Sequence, residues 1–508
     1  MNALNRPGDI VPYAASRYAD KTALVTPTRT LTFAELDDLT SRAANGLRRR
    51  GITPGRTVSL YGPNSWQWIV AYHAILRAGA VVNPINVMLT PPEVAFVLND
   101  CQAVAVLTAA ERLPDLRTLT SEIDSVQCVL ALDGTDEDAF SRPFAEEPLE
   151  QPTLVEPTSL STIGYTSVTT GHPKGAMQSH RAVLLNCALT ATMHGHTSRD
   201  VVVTALPATH VYGNVAINGT LLAGGTVVLM ERFAPDQALA LISEHRATMF
   251  EGVPAMYAML LAEPAVREAD LTSLDRCTVG GQTIAESTIE AWEQRSGAPL
   301  IELWGMTEIS GLGTTHAIDA PPVHGSIGIS LPGLEVRVAD LGDATRDAPV
   351  GEPGELMVRG PLVMMGYYGN PTETKKTIEP DGWLHTGDIA YADDSGHFFV
   401  VDRRKDLIIT AGYNVYPAEI ERVISAHPAV AMVGVGAVTD DVKGELACAC
   451  IVLRAGMKLS EEEILDFTRD RLAAYKRPCR VVFVSSLPTT SSGKIMRRKL
   501  LEAPRAEA

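Results

Sequence analysis

Short apolar runs separated by stretches of helical length are the feature that most constrains this chain. Thr57-Val-Ser-Leu-Tyr61, Ala103-Val-Ala-Val-Leu107 and Gly225-Thr-Val-Val-Leu229 are almost wholly apolar or β-branched. They lack the polar alternation of a half-exposed strand, so both faces of such strands must be covered, as helices cover a parallel sheet. The pattern predicts strands at 57–61, 80–82, 103–107, 201–204 and 225–229, with helices over 65–78, 91–100 and 235–245. After about residue 320 the strands shorten, at 334–338, 354–358 and 397–401, and glycine turns become frequent. Two helix–strand units follow, at 417–426 with 433–437 and at 460–472 with 480–484. At 508 residues one core is not enough. The expected class is therefore α/β. A large N-terminal region of covered, mostly parallel sheets and a small β-barrel-like part precede a small α+β C-terminal domain. The charged cluster Asp402-Arg-Arg-Lys-Asp406 is the natural joint and divides the chain into 1–402 and 403–508. The Glu- and Pro-rich run 139–157 reads as a solvated connection.

With 43 Lys and Arg against 60 Asp and Glu, the net charge is −17. A general nucleic-acid binder needs a cationic surface, so that class is excluded, whereas a local cationic pocket is not. Residues 201–230 carry no Lys, Arg, Asp or Glu and are long enough to span a bilayer. Pro207, His210, Asn214, Asn218 and several glycines interrupt the run, so it reads as two buried strands with a helix between them and no transmembrane segment is expected. The seven cysteines are dispersed and include no Cys-x-x-Cys pair. Cys448 and Cys450 would share one face of a strand, as buried thiols in a reducing compartment. No secretory segment is seen near the N-terminus, and a soluble, cytoplasmic protein is expected.

The segment richest in chemistry is Tyr165-Thr-Ser-Val-Thr-Thr-Gly-His-Pro-Lys-Gly175. Its hydroxyls (Thr166, Ser167, Thr169, Thr170), the flexible Gly171 and the Lys174 cation suit phosphate oxygens. It does not match a Walker P-loop. Taken alone, it is equally a flexible surface turn.

Further blocks settle the comparison. Trp304-Gly-Met-Thr-Glu308, Gly354-Glu-Leu356 with Met364-Met-Gly-Tyr367, Gly382-Trp-Leu-His-Thr-Gly-Asp388, Asp402-Arg-Arg-Lys-Asp406 with Gly412-Tyr-Asn-Val-Tyr-Pro-Ala-Glu-Ile-Glu421, Tyr475-Lys-Arg-Pro478 and Ser492-Gly-Lys494 occur in this order. Over roughly residues 20–500 the chain resembles the AMP-forming adenylate enzymes, which include acyl-CoA synthetases, luciferase and peptide-synthetase adenylation domains. The resemblance implies that the 166–174 loop grips the ATP phosphates, with Mg²⁺ held by Glu308 and Thr166. It implies that Gly280, Gly281 and Gln282 run beside adenine and the acyl carboxylate, with Trp304 offering a stacking face and Gly305, Met306 and Thr307 completing the nucleotide site. Asp388 and Arg403 would hold the ribose. His210 would lie beside the acyl group. Lys494 would contact the acyl carboxylate and α-phosphate on a mobile C-terminal domain that turns about Lys405, opening a pantetheine channel near Gly412. Arg497, Arg498 and Lys499 read as a basic solvated tail.

The implied reaction activates a carboxylic acid with ATP and passes the acyl group to coenzyme A, in a monomer or homodimer. No arginine falls in 210–214, 280–283 or 304–313 to pair with a second carboxylate, and no aspartate follows His210 to hold an amine. Gly213, Gly311 and Gly313 are expected to leave room for an apolar or aromatic tail. A neutral monocarboxylic acid, fatty or aryl, is the expected substrate. Transfer to an amine or a carrier-protein thiol remains open. So does a silent nucleotide- or acyl-binding protein, because Val168 stands where the family loop has glycine.

Overall fold

A computed structural model describes residues 4–134, 140, 147–149, 153–166, 173–411, 413–440, 443–454, 456–488 and 495–502. The covered-strand pattern folds as two large sheets. In the six-stranded sheet, Cys128–Ala131, Ala105–Thr108, Thr57–Tyr61, Val81–Pro84 and Leu160–Thr166 run parallel, and Lys174–Ser179 returns antiparallel at the edge. The nine-stranded sheet has five central parallel strands, Thr226–Leu229, Val201–Thr204, Met249–Gly252, Arg276–Val279 and Leu300–Met306. Gly311–Thr315 and Ile329–Ser330 extend one edge, and Thr22–Val25 and Thr30–Thr32 the other.

One apolar core joins the sheets. It takes Val58 and Leu60 from the first, Val227 and Leu229 from the second, and Leu36, Trp68, Ile75, Ile217 and Leu221 from helices between them. Trp68 and Tyr72 stack at 5.6 Å, and the Tyr72 hydroxyl donates to Asn214 Oδ1 at 3.2 Å. The charge-free run behaves as expected: strands Val201–Thr204 and Thr226–Leu229 flank the helix Val211–Leu222. Among the described residues, no helix is long and apolar enough to cross a membrane.

The part expected to be barrel-like is, among the described residues, an open four-stranded antiparallel sheet of Glu335–Ala339, Gly354–Arg359, Leu384–Ala392 and Phe398–Arg403. Its last strand runs two residues further than the apolar pattern predicts, because Asp402 and Arg403 pair with Ile389 and Asp388. Register, rather than hydrophobicity, thereby fixes Arg403 opposite Asp388.

The last sheet consists of Tyr413–Val415, Ile408–Thr410, Gly444–Leu453, Val430–Asp440 and Arg480–Phe483. Ile420 and Ile424 of the helix Pro417–Ser425 and Ile464 of the helix Glu461–Arg469 close its core. Cys448 and Cys450 are buried free thiols on one strand. The expected connection over 139–157 falls largely outside the described residues.

Candidate active site

The strands on either side of the Ser/Thr/Gly segment, Leu160–Thr166 and Lys174–Ser179, pair antiparallel, Thr166 with Lys174 and Tyr165 with Gly175. Ser167, Val168, Thr169, Thr170 and Gly171 lie outside the described residues. Lys174 ion-pairs with Glu373, and its ammonium lies 5.3 Å from the centre of the Tyr367 ring. Both line a cavity of about 570 Å³ that also touches Phe96 and Asp100. Lys174 and Lys376 together pull the Glu373 pKa down to about 2. If Lys174 meets the ATP phosphates, as the resemblance implies, they must compete with that carboxylate. Glu373→Gln is therefore expected to lower the KM for ATP two- to fivefold with kcat little changed, the range of a partly exposed ion pair. A raised KM in steady-state assays would show instead that Glu373 holds Lys174 in place.

Strand Leu300–Met306 ends in the turn Thr307–Ile309 and returns as Gly311–Thr315. The return is tight: a Cβ on Gly305 would collide with the Gly311 carbonyl. This turn presents Glu308 buried, with Oε1 accepting from the Tyr367 hydroxyl at 3.0 Å. Gln178 Nε2 donates to the Thr307 carbonyl at 2.9 Å, and the Met364 N–H to the Glu308 carbonyl at 2.8 Å. Burial pushes the Glu308 pKa up, although its hydrogen bonds and the Arg403 charge oppose the shift. A buried carboxylate favoured toward neutrality gains when a cation arrives.

The carboxylate of Asp388 has a partner at each oxygen. Trp304 Nε1 donates to Asp388 Oδ2 at 2.8 Å, Arg403 Nε lies 3.3 Å from Oδ1, and the Asp388 N–H donates to Thr386 Oγ1 at 3.1 Å. Trp304 is thus tied edge-on to Asp388, and its ring packs against Gly313. The structure brings Glu308, Trp304, Asp388 and Arg403 into one neighbourhood from three separate segments.

His210 caps the helix Val211–Leu222, its Nδ1 accepting from the Tyr212 N–H at 3.3 Å. The Tyr212 hydroxyl is 2.8 Å from Thr278 Oγ1, which links that helix to the strand leading into Gly280, Gly281 and Gln282. Gly281 takes φ +88°, and the place of a Gly280 side chain is filled by Leu303. One expectation is overturned. Gly213, Gly311 and Gly313 do not open room for a tail, since added Cβ atoms would meet the Pro207 carbonyl, Asn186 and Val215, and the Trp304 ring respectively. These glycines permit close packing of the chain on itself.

The AMP-binding enzyme family matches residues 11–368, and the AMP-binding enzyme C-terminal domain matches residues 419–494. This chain is an AMP-binding enzyme. It is similar to a feruloyl-CoA synthase of an Amycolatopsis species, 36% identical over 470 residues, or 92% of each chain. It is also 32% identical over 526 residues to a long-chain-fatty-acid–CoA ligase of Bacillus subtilis, covering 97% of this chain and 93% of that one. Among solved structures, ATP-bound MatB from Rhodopseudomonas palustris aligns at a TM-score of 0.91 and 31% identity, over 97% of this chain and 98% of that one. The amide bond synthetase McbA from Marinactinospora thermotolerans aligns at 0.88 and 29%, over 98% and 99%.

In this enzyme the segment expected to be the joint carries a second correction. Arg497 is no solvated tail residue. Its side chain is only 18% exposed, held by Asp402, Asp406 and Glu421. Nothing in the run Ile495-Met-Arg-Arg-Lys499 signals this, because all three partners lie more than 70 residues away in sequence. Lys499 is exposed as expected. Lys405 lies in the single turn Arg404–Asp406, and Gly412 and Lys494 fall outside the described residues. Sequence reasoning also passed over Tyr367, Gln178 and Glu373. Tyr367 could have been found, since it ends one of the recognised blocks; nothing marks the other two.

Among the described residues, no three His, Cys, Asp or Glu groups gather as a metal site. The buried carboxylate of Glu308 fits Mg²⁺ nonetheless, because that ion binds through one or two carboxylates and takes its other oxygens from phosphate and water.

Proposed function

We propose that this AMP-forming acid–CoA ligase activates a neutral monocarboxylic acid, fatty or aryl, and transfers it to coenzyme A. The observation that carries the reading is the linked set Glu308, Trp304, Asp388 and Arg403, a buried carboxylate, an indole and a salt-bridged carboxylate, with Thr307 beside Glu308 bonded to Gln178 of the strand Lys174–Ser179. Asp388 keeps lone pairs for ribose hydroxyls beyond those used by Trp304 and Arg403. Thr166 and Lys174 would face the phosphates, with Mg²⁺ at Glu308 offsetting their charge. The carboxylate oxygen attacks the α-phosphorus, and pyrophosphate leaves. Both reactants are anions, so positioning and neutralisation supply most of the rate. In the second step a thiol attacks the acyl carbon, AMP leaves, and the thiol proton is released. The proposed division into a 1–402 domain holding ATP and acid and a 403–508 domain bearing Lys494 gives each step its own arrangement. The feruloyl and long-chain-fatty-acid relatives support an aryl or fatty acid, as does the absence of arginine from 210–214, 280–283 and 304–313.

The test is pyrophosphate release with a panel of benzoic, cinnamic and C2–C16 fatty acids, followed by mass analysis of products formed with CoA. Acid-dependent pyrophosphate and an acyl-CoA product are expected, with dicarboxylic acids at least tenfold poorer. The McbA likeness favours one other outcome, an amide from a supplied amine with CoA unused. Release of no pyrophosphate with any acid would leave only the silent binder suggested by Val168.

A further inference from the structure

One side chain ties together groups that lie on either side of Lys405. Arg497 Nη1 donates to Asp402 Oδ1 at 2.6 Å and lies 3.4 Å from Asp406 Oδ2. Its Nε and Nη2 donate to Glu421 Oε1 and Oε2 at 3.1 and 2.8 Å. Asp402 precedes Lys405 on the strand Phe398–Arg403, whereas Glu421 follows it on the helix Pro417–Ser425. The second oxygen of Asp402 accepts from the Ala418 N–H at 2.8 Å, and Glu421 Oε1 also accepts from the Val435 N–H at 2.8 Å. If the C-terminal domain turns about Lys405, Arg497, Glu421 and Val435 travel together, and Asp402 stays behind. On such a turn the Asp402–Arg497 bond would belong to this arrangement alone. Hydrogen bonds from Thr90 chiefly hold Glu93 in its charged form, and the charge of Lys499, two residues beyond Arg497, adds to them. Glu93 opens the helix Pro91–Asp100, whose Phe96 and Asp100 line the cavity beside Lys174. In this arrangement the segment that follows Lys494 thus stands toward the phosphate side of the larger domain.

Resting on the two-step reaction above, we propose that Arg497 is a positioning residue for acyl-adenylate formation: it clasps the hinge through Asp402 and holds the Lys494-bearing end of the chain for the first step. The bidentate bond to Glu421 gives the guanidinium a fixed heading that a lysine cannot reproduce. In the second step the bond to Asp402 is already broken, so its loss costs that step little.

The test separates the half-reactions in the full-length enzyme. Pyrophosphate release from ATP and the preferred acid reports the first, and AMP release from supplied acyl-adenylate and CoA the second. Arg497→Lys and Asp402→Asn are expected to slow the first at least tenfold with the ATP KM within threefold, to leave the second within threefold, and to speed amide exchange over 404–407. An unchanged first step, or parallel slowing of both, overturns the proposal; parallel slowing with a lowered melting temperature is the signature of a merely structural role. A wild-type chain that makes no acyl-adenylate overturns the proposed function instead. Amide exchange unaltered in both variants overturns the clasp whatever the activity.

Discussion

Glu308→Gln is expected to slow pyrophosphate release about 10²–10³-fold, the cost of losing one well-placed charge-stabilising group in a water-poor site. The substitution keeps the shape and an oxygen able to accept from Tyr367, but removes the negative charge. A triphosphate brings its own negative charge, so the carboxylate is useful there only with a cation between them. The variant should therefore need several times more Mg²⁺ for half-maximal rate. Tyr367→Phe retains the charge and removes only the 3.0 Å hydrogen bond, and should cost under tenfold. The fold supplies a control that separates chemistry from stability. Burial raises the Glu308 pKa above its unfolded value, so ionisation disfavours the folded state. The wild-type fold is then favoured below the unfolded pKa and loses stability as pH rises through the folded pKa. Glu308→Gln lacks this loss, and its melting temperature relative to wild type should climb with pH. An inactive variant that also melts lower at alkaline pH would show that the residue is structural.

Much of this architecture is legible in sequence because it rests on local signals. The apolar runs at 57–61 and 225–229 became interior parallel strands, since a strand without polar alternation has no face to turn to water. The helix after His210 and the strands around it followed from uninterrupted hydrophobicity cut by Pro207 and the glycines. The recognised blocks located Trp304, Glu308, Asp388 and Arg403, yet nothing local showed that the Trp304 indole binds Asp388 across 84 residues, or that Tyr367 reaches Glu308 across 59. Such contacts are set by strand order and register, which a single sequence encodes only through the whole fold. Arg497 is the clearest case. An Arg-Arg-Lys run near a terminus looks solvated, and only the fold converts its first member into a partly buried cation among three carboxylates. The glycines erred in the opposite sense. Absence of a side chain at Gly311 and Gly313 suggested space for a ligand, whereas the fold fills that space with Asn186, Val215 and Trp304.

Lys494→Ala should divide the reaction more sharply than any hinge substitution. In the proposed first step an ammonium neutralises charge that grows as the acid's oxygen closes on the α-phosphorus, an interaction worth more in the transition state than in the bound substrates. Its removal is expected to lower kcat for pyrophosphate release about 10²–10³-fold while ATP and acid KM values move little. In the second step the nucleophile is a thiol and the acyl-adenylate is already a mixed anhydride, so the same ammonium has no charge of that kind to meet. Transfer from supplied acyl-adenylate to CoA should stay within about threefold of wild type. Arg497→Lys should show the same split at smaller amplitude, because it displaces the cation rather than deleting it. Combining the two changes then tests the connection, because a clasp that acts only through Lys494 adds nothing once that lysine is gone. If Lys494→Ala and Arg497→Lys instead multiply, the two residues serve the first step independently, and the hinge acts on some group other than the lysine.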